Sequence, residues 1–395
     1  MNHYSFSAER PVEQYHKTDL GFLIALFLIW GLGLFAMFVC SQNYAMRAFN
    51  NPYHFLQRQL IYSGVGLVLF LFFCFLDMKY IKKLVIFIVL FSVLLCLLVF
   101  IPPLSVELNG ARRWLKLPFK MTFQPSELVK FSMILFLANY FDKEFEKENE
   151  EDRTVLPCVI GFLILVTLVL LEKDFSTSVF LIIIGILMFF VSGAKLKWVW
   201  PFLVFSIPIS ILVITSEKYR IERLLYFLKP LEGASTVNFQ ANASKNAISA
   251  GGFWGVGIGR NLKRLNSIPE VQADYIFAGW AEAMGYIGVI AYFALLLFFA
   301  CRGYRTAFKT PNRFAAYGSF GCISVIFLQS IVNCMVVCGL LPSTGIPLPF
   351  FSGGGSSIII TLAMCGFVLN ASRCEEKDEG LRQSAVINNE NFYTL

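Results

Sequence analysis

Two carboxylates, Asp274 and Glu282, stand eight residues apart in "IPEVQADYIFAGWAEAMGYIG", Ile268 to Gly288, where a long polar stretch gives way to an apolar run. Just upstream come Arg260, Lys263 and Arg264, behind the glycine-rich "GGFWGVGIG". A carboxylate beside clustered cations suits a reaction in which a hydroxyl loses its proton while a phosphate group departs: the first event needs a base, the second positive charge. Histidine cannot be that base, because His3, His16 and His54 all precede the second apolar run. Acid–base work in this region falls to carboxylates.

Three further stretches carry polar chemistry. In "NGARRWLKLPFKMTFQPSELVKF", Asn109 to Phe131, Asn109–Gly110 marks a turn, and Arg112, Arg113, Lys116 and Lys120 form a cationic outer segment. Pro125 fits the first turn of a helix, which puts Glu127 and Lys130 at i and i+3 on one face. Ionisable groups at membrane depth are costly, so the two are expected to pair, whether for function or simply to hold helices together. In "EKDFSTS", Glu172 to Ser178, Asp174 is placed to cap a helix. The uncharged "GLLPSTGIPLPFFSGGGSS", Gly339 to Ser357, with Ser352 as a substrate-contact candidate, reads as irregular backbone lining a cavity. The glycines of "GGFWGVGIG" lack the strand and βαβ setting of a dinucleotide site, and close backbone approach is the better use for them.

The elements that must position these groups follow from composition. The chain has 395 residues, 57% hydrophobic and 15% charged, with mean hydropathy +0.65. That excludes an ordinary soluble domain. A bilayer-spanning helix needs about 20 apolar residues, and ten runs qualify: 19–41, 55–76, 82–103, 125–141, 155–171, 175–192, 197–215, 275–301, 314–338 and 356–373. The expected fold is all-α, a polytopic membrane protein with a long outer loop, 216–274, between the seventh and eighth spans. The spans form one transmembrane domain, 19–374, between tails at 1–18 and 375–395. With the N-terminus inside, inner connections and tails collect 17 Lys and Arg and the short outer loops seven, which places both termini in the cytoplasm. The first run is too long for the core of a cleavable signal. The ten cysteines lie in or beside apolar runs without a CxxC, as buried thiols do.

In four motifs the chain resembles the SEDS family of bacterial cell-wall polymerases, the FtsW, RodA and SpoVE group: "NGARRW…FQPSELVK", "QANASKNAISAGGFWGVGIG", "IPEVQADYIFAGWAEAMGYIG" and "LPSTGIPLPFFSGGGSS". The resemblance covers about residues 19–373. It implies a multi-pass protein of the bacterial inner membrane that polymerises lipid II and works with a class B penicillin-binding protein, a transpeptidase, among other division or elongation proteins and membrane lipids. It implies no nucleic-acid partner. Asp274 aligns with the family's essential aspartate, Arg113 with the arginine of its Gly–Ala–x–Arg–Trp motif, and Glu127 and Lys130 with its Gln–Pro–Ser–Glu–x–x–Lys pair. The chain departs from the family at Gln272–Ala273 (usually His–Thr), at Ala283 (often Glu) and at Gly353 (usually Tyr). The glycine spacing before Arg260 is more similar to the division branch, FtsW, than to the elongation branch, RodA.

On this reading Asp274 is the general base, strengthened by partial desolvation beside Tyr275, Ile276 and Phe277. Arg113, then Arg260 or Arg264, neutralise the pyrophosphate leaving group, with Arg112 also on the substrate-facing segment. Glu282 is expected to pair with Lys130 or to orient the loop. No cofactor is called for; a divalent cation, Mg or Mn, is one that the chemistry would admit. The alternatives are a lipid II flippase or transporter, whose intramembrane charges would line a path, and a non-catalytic scaffold for division proteins. Against the first, the sequence shows no inverted repeat and its polar chemistry concentrates on one outer face, not at the midplane; the second explains the cytoplasmic segments but not Asp274.

Overall fold

In the computed structural model the described residues are 18–108, 111–118, 121–145, 154–193, 227, 236–257 and 271–373. They form α1 (Leu20–Phe49), α2 (His54–Phe75), α3 (Met78–Val99), α4 (Pro125–Phe145), α5 (Leu156–Leu171), α6 (Phe175–Val191), α7 (Thr236–Gly251), α8 (Ile276–Lys309), α9 (Arg313–Val337) and α10 (Gly355–Ala371). Every expected span among the described residues is a helix; the expected span 197–215 lies outside them. α1, α2, α3, α8 and α9 are long and apolar enough to cross a membrane, and α5, α6 and α10 are shorter apolar helices. Lipid offers no partners to backbone groups, so each apolar run satisfies its amides within a helix. α9 and α10 are central, with buried residues on all sides, whereas α3 turns Phe87, Leu90 and Phe91 outward.

Helix ends are tied by side chains. Asp19 caps α1 by accepting from the Phe22 amide, and Asn312 caps α9 through Ala315. Asn370, in the last turn of α10, donates to the carbonyls of Phe73 and Leu76, which end α2. The first tie fixes the start of a 30-residue helix, and the last joins two helices almost 300 positions apart in sequence.

Two features add to the sequence expectation. The segment between α3 and α4 is a three-stranded antiparallel sheet, β1 (Ser105–Leu108), β2 (Ala111–Leu117) and β3 (Met121–Phe123), in that order. The second is a break in α8 at Gly285, which has φ 66° and ψ −163°. The segment after α7 fills the break: Val256 and Gly257 donate to the carbonyls of Glu282 and Ala283, and Tyr286 and Ile287 donate to those of Gly252 and Phe253. Backbone groups released by the break thus regain partners. A Cβ on Gly255 would lie 2.3 Å from the Ala283 oxygen, so only glycine permits this approach. The close approach expected of "GGFWGVGIG" is found in its described part, Gly251–Gly257.

Candidate active site

Asp274 lies immediately before α8, half-buried, with its backbone carbonyl held by Asn333 Nδ2 of α9 at 3.0 Å. The same amide nitrogen donates to the Ile346 carbonyl at 2.8 Å. One side chain therefore fixes the entry to α8 and the loop 338–354 together. Gly345, with φ 71°, brings its bare Cα face toward the carboxylate: a Cβ there would sit 3.6 Å from Asp274 Oδ2. Next to Asp274, the Gln272 carbonyl accepts from the Gly353 amide at 2.8 Å. Asp274 is framed by one loop and one helix.

A second chain of contacts reaches the same loop from α4. Lys130 Nζ lies 2.8 Å from Glu127 Oε1 and 2.8 Å from Gln329 Oε1 of α9. Gln329 in turn donates to the Pro347 carbonyl at 2.9 Å. Gln329 and Asn333 are i and i+4, so they share one face of α9 and grip consecutive parts of the loop. The expected Glu127–Lys130 pair is present and buried. Lys130 takes Glu127 and Gln329 as partners, which leaves the expected alternative pairing with Glu282 unrealised. Glu282 is buried in the first segment of α8, and its carbonyl receives Val256. Ser352 is buried as well; its Oγ accepts from Leu348 N and its carbonyl from Gln59 Nε2, so it shapes the loop from within.

The third group gathers under the sheet. Arg113 Nη2 donates to the Lys173 carbonyl, and Nη1 lies 3.8 Å from Asp174 Oδ1. Asp174 stands at the start of α6 but makes no side-chain cap; its Oδ2 accepts instead from Gln124 Nε2 at 2.9 Å and Ser126 Oγ at 3.2 Å. The capping role expected for it gives way to a tie between β2, the α4 entry and the 172–174 turn, because three donors converge on one buried carboxylate. Gln124 N also donates to Ser356 Oγ at 2.8 Å, joining this group to the start of α10. Beside it, burial pushes the Glu172 carboxyl up to about 8, with the Cys96 thiol and Arg113 favouring its charged form and Asp174 opposing it. Arg112 pairs across the strands with exposed Glu107 at 3.0 Å. Arg260 and Arg264 lie outside the described residues.

Gln329, Asn333, Gln59 and Gln124 were not among the expected site residues. The signal for the first two is present in the sequence: two amides four apart in an otherwise apolar run, where polar groups need partners. Among the described residues no three His, Cys, Asp or Glu side chains converge as in a protein-built metal site, so these residues offer a divalent cation no ready cage.

The chain matches the FtsW/RodA/SpoVE family model, described as "Cell cycle protein", over residues 20–377. It is 33% identical over 354 residues to a Borreliella burgdorferi protein named "Probable peptidoglycan glycosyltransferase FtsW", covering 89% of this chain and 96% of that one. Its fold is similar to a chain from a structure titled "Structural coordination of polymerization and crosslinking by a peptidoglycan synthase complex", with TM-score 0.73, 28% identity, and 91% and 99% of the two chains covered. It is also similar to the rod shape determining protein RodA of Thermus thermophilus, with TM-score 0.66, 25% identity, and 91% and 98% covered. Motifs, helical layout and full-length similarity agree: this polytopic membrane protein belongs to the FtsW/RodA/SpoVE family.

Proposed function

We propose that the protein is a peptidoglycan glycosyltransferase that polymerises lipid II, with Asp274 as general base on the outer face of the bacterial inner membrane. The observation that carries this reading is the mounting of Asp274: a half-buried carboxylate at the mouth of α8, its backbone fixed by Asn333 and its Oδ2 facing Gly345. A base must be held in place yet reachable, and this one is both. The sugar 4-hydroxyl of the acceptor gives its proton to Asp274 as its oxygen attacks the anomeric carbon of the donor. The bond from that carbon to polyprenyl pyrophosphate breaks, and single displacement converts an α-linked donor into a β-linked product.

Leaving-group charge must be met by cations. Arg113 is committed to the 172–174 turn, so this role falls first to Arg260 and Arg264, with Arg113 second. Arg112, Glu127, Lys130, Glu282 and Ser352 then act by shaping the loops around the substrate. The polar ties around Asp274 and Lys130 reach the loop 338–354, and those around Asp174 reach the start of α10 that follows it, which favours surface catalysis over a translocation path. Both termini are assigned to the cytoplasm, and the neighbouring synthase complex supports a transpeptidase partner.

The test is purified protein, alone and with its transpeptidase, given labelled lipid II and analysed for glycan strands. Asp274→Asn keeps shape and removes basicity, so polymerisation should fall by about 10²-fold or more with lipid II binding retained. Near-normal strands from that variant would remove Asp274 from the role.

A further inference from the structure

α7 is a largely polar helix fixed to the bundle at two points. Ser244 Oγ donates to the Val337 carbonyl of α9 at 2.9 Å. At the end of α7, a Cβ on Gly251 would lie 2.1 Å from the Ala281 carbonyl oxygen, so this helix meets the first segment of α8 backbone to backbone. Val337 stands four residues past Asn333, about 6 Å along the axis of α9, and Asn333 is the residue that holds the Asp274 carbonyl. Successive turns of one helix thus grip Asp274 and α7.

Lys245 follows Ser244 and is exposed. Its side chain runs across Gly339: a Cβ there would lie 2.2 Å from Lys245 Cε and 2.7 Å from Nζ. The absent side chain leaves the ammonium its place, at the start of the loop 338–354 whose Gly345 faces Asp274. Other cations near this end of the bundle are engaged, Arg113 with the Lys173 carbonyl, Arg112 with Glu107 and Lys130 with Glu127. Among the described residues Lys245 makes no hydrogen bond or ion pair. A lysine beside the end of α9 could serve only to complement that helix's dipole, yet its ammonium bonds none of the terminal carbonyls of α9.

The reaction identifies what such a cation would meet. This inference rests on the glycosyltransferase reading, in which a pyrophosphate departs from the side of the anomeric carbon opposite the acceptor hydroxyl. Inverting glycosidases, which also displace in one step, keep the two groups that flank that carbon about 6.5–9.5 Å apart. α7 and the entry to α8, held on adjacent turns of α9, are separated by about one helix diameter, on the order of 10 Å. We propose that Lys245 is a substrate-contacting residue whose ammonium binds the pyrophosphate of the polyprenyl-linked donor. As the glycosidic bond breaks, its electron pair goes to the phosphate oxygen and the acceptor proton goes to Asp274; Lys245 meets the charge on the first of these. It joins Arg260 and Arg264 in that role from a helix whose two anchor points hold it in position.

The test uses the full chain with its transpeptidase, as the parent and as Lys245→Gln, Lys245→Arg and Lys83→Gln, the last removing the same charge near the start of α3. Lipid II kinetics give kcat/KM, and thermal unfolding gives the affinity for polyprenyl pyrophosphate and for polyprenol, which lacks the phosphates. Lys245→Gln should lower kcat/KM and weaken polyprenyl pyrophosphate about tenfold each, the scale of one charge-assisted hydrogen bond. Lys245→Arg should keep most of both, polyprenol should bind parent and variants alike, and Lys83→Gln should match the parent. Parental affinity and kcat/KM in Lys245→Gln overturn the contact. A lowered melting temperature without ligand, together with parental affinity, overturns it in favour of the dipole role. Affinity is read without turnover, so a parent that binds polyprenyl pyrophosphate through Lys245 and makes no strands from lipid II would overturn the polymerase reading and leave the contact standing.

Discussion

Asn333 holds Asp274 by its backbone, not by its carboxylate: Nδ2 donates to the Asp274 carbonyl at 3.0 Å and, from the same atom, to the Ile346 carbonyl at 2.8 Å. Gly345 faces the carboxylate, and the chain that carries it is pinned to the loop opposite. A positioned group acts through the rigidity of what carries it, so the consequences of this bond are open to measurement.

Asn333→Ala should leave both carbonyls without their donor, a cost of about 1–3 kcal/mol in stability. Polymerisation should fall through the turnover rate more than through KM, since Asp274 remains but loses its mounting. Thermal unfolding with lipid II kinetics checks this, and an unchanged rate would separate the loop from the chemistry.

Glu127 and Lys130 are both buried and 2.8 Å apart. Either single change to Ala should destabilise by about 3–5 kcal/mol because the remaining charge is uncompensated, and the double change should cost less than the sum of the two. A double-mutant cycle that comes out additive would show that the pair is not coupled. Gln329→Leu should cost less than either charge variant, since it removes two hydrogen bonds, from Lys130 and to the Pro347 carbonyl, while the ion pair stays.

Arg113 anchors the turn 172–174. Arg113→Gln should lower the melting temperature without lipid II and leave the shift caused by lipid II nearly normal. Arg113→Lys should rescue it only in part, because a point charge cannot serve the Lys173 carbonyl and Asp174 as a planar fork does. A normal melting temperature with a reduced lipid II shift would return Arg113 to the pyrophosphate.

Glu172 carries a pH dependence whose sign follows from its burial. Its carboxyl is raised from 4.5 to about 8, so between those values the folded chain holds a proton that the unfolded chain has released. Stability is fully present below the lower value, declines by at most about 1.4 kcal/mol per pH unit, and levels off above about pH 8. Glu172→Gln should flatten the melting temperature across that window. A slope equal to the parent's would assign the titration elsewhere.

Much of this molecule is written along the chain. An apolar run in lipid must become a helix because its amides have no other partner, so run length sets the spans, and α2, α9 and α10 follow their expected positions closely, whereas α1 runs on to Phe49, past its expected end at 41. The Glu127–Lys130 pair is a local i, i+3 relation and was equally legible. The use of glycines for close approach follows from their missing side chain. What spacing could not supply is the choice of partner across the bundle. Nothing local tells Lys130 to take Gln329 rather than Glu282, or Asp174 to leave its own helix start for Arg113, Gln124 and Ser126. The break at Gly285 is of the same kind, since a helix yields there only because residues 252–257 arrive to take up the freed amides and carbonyls. Periodicity records which face of a segment is buried; which groups meet on that face is decided by contacts between segments far apart in sequence, once packing has brought them within hydrogen-bond reach.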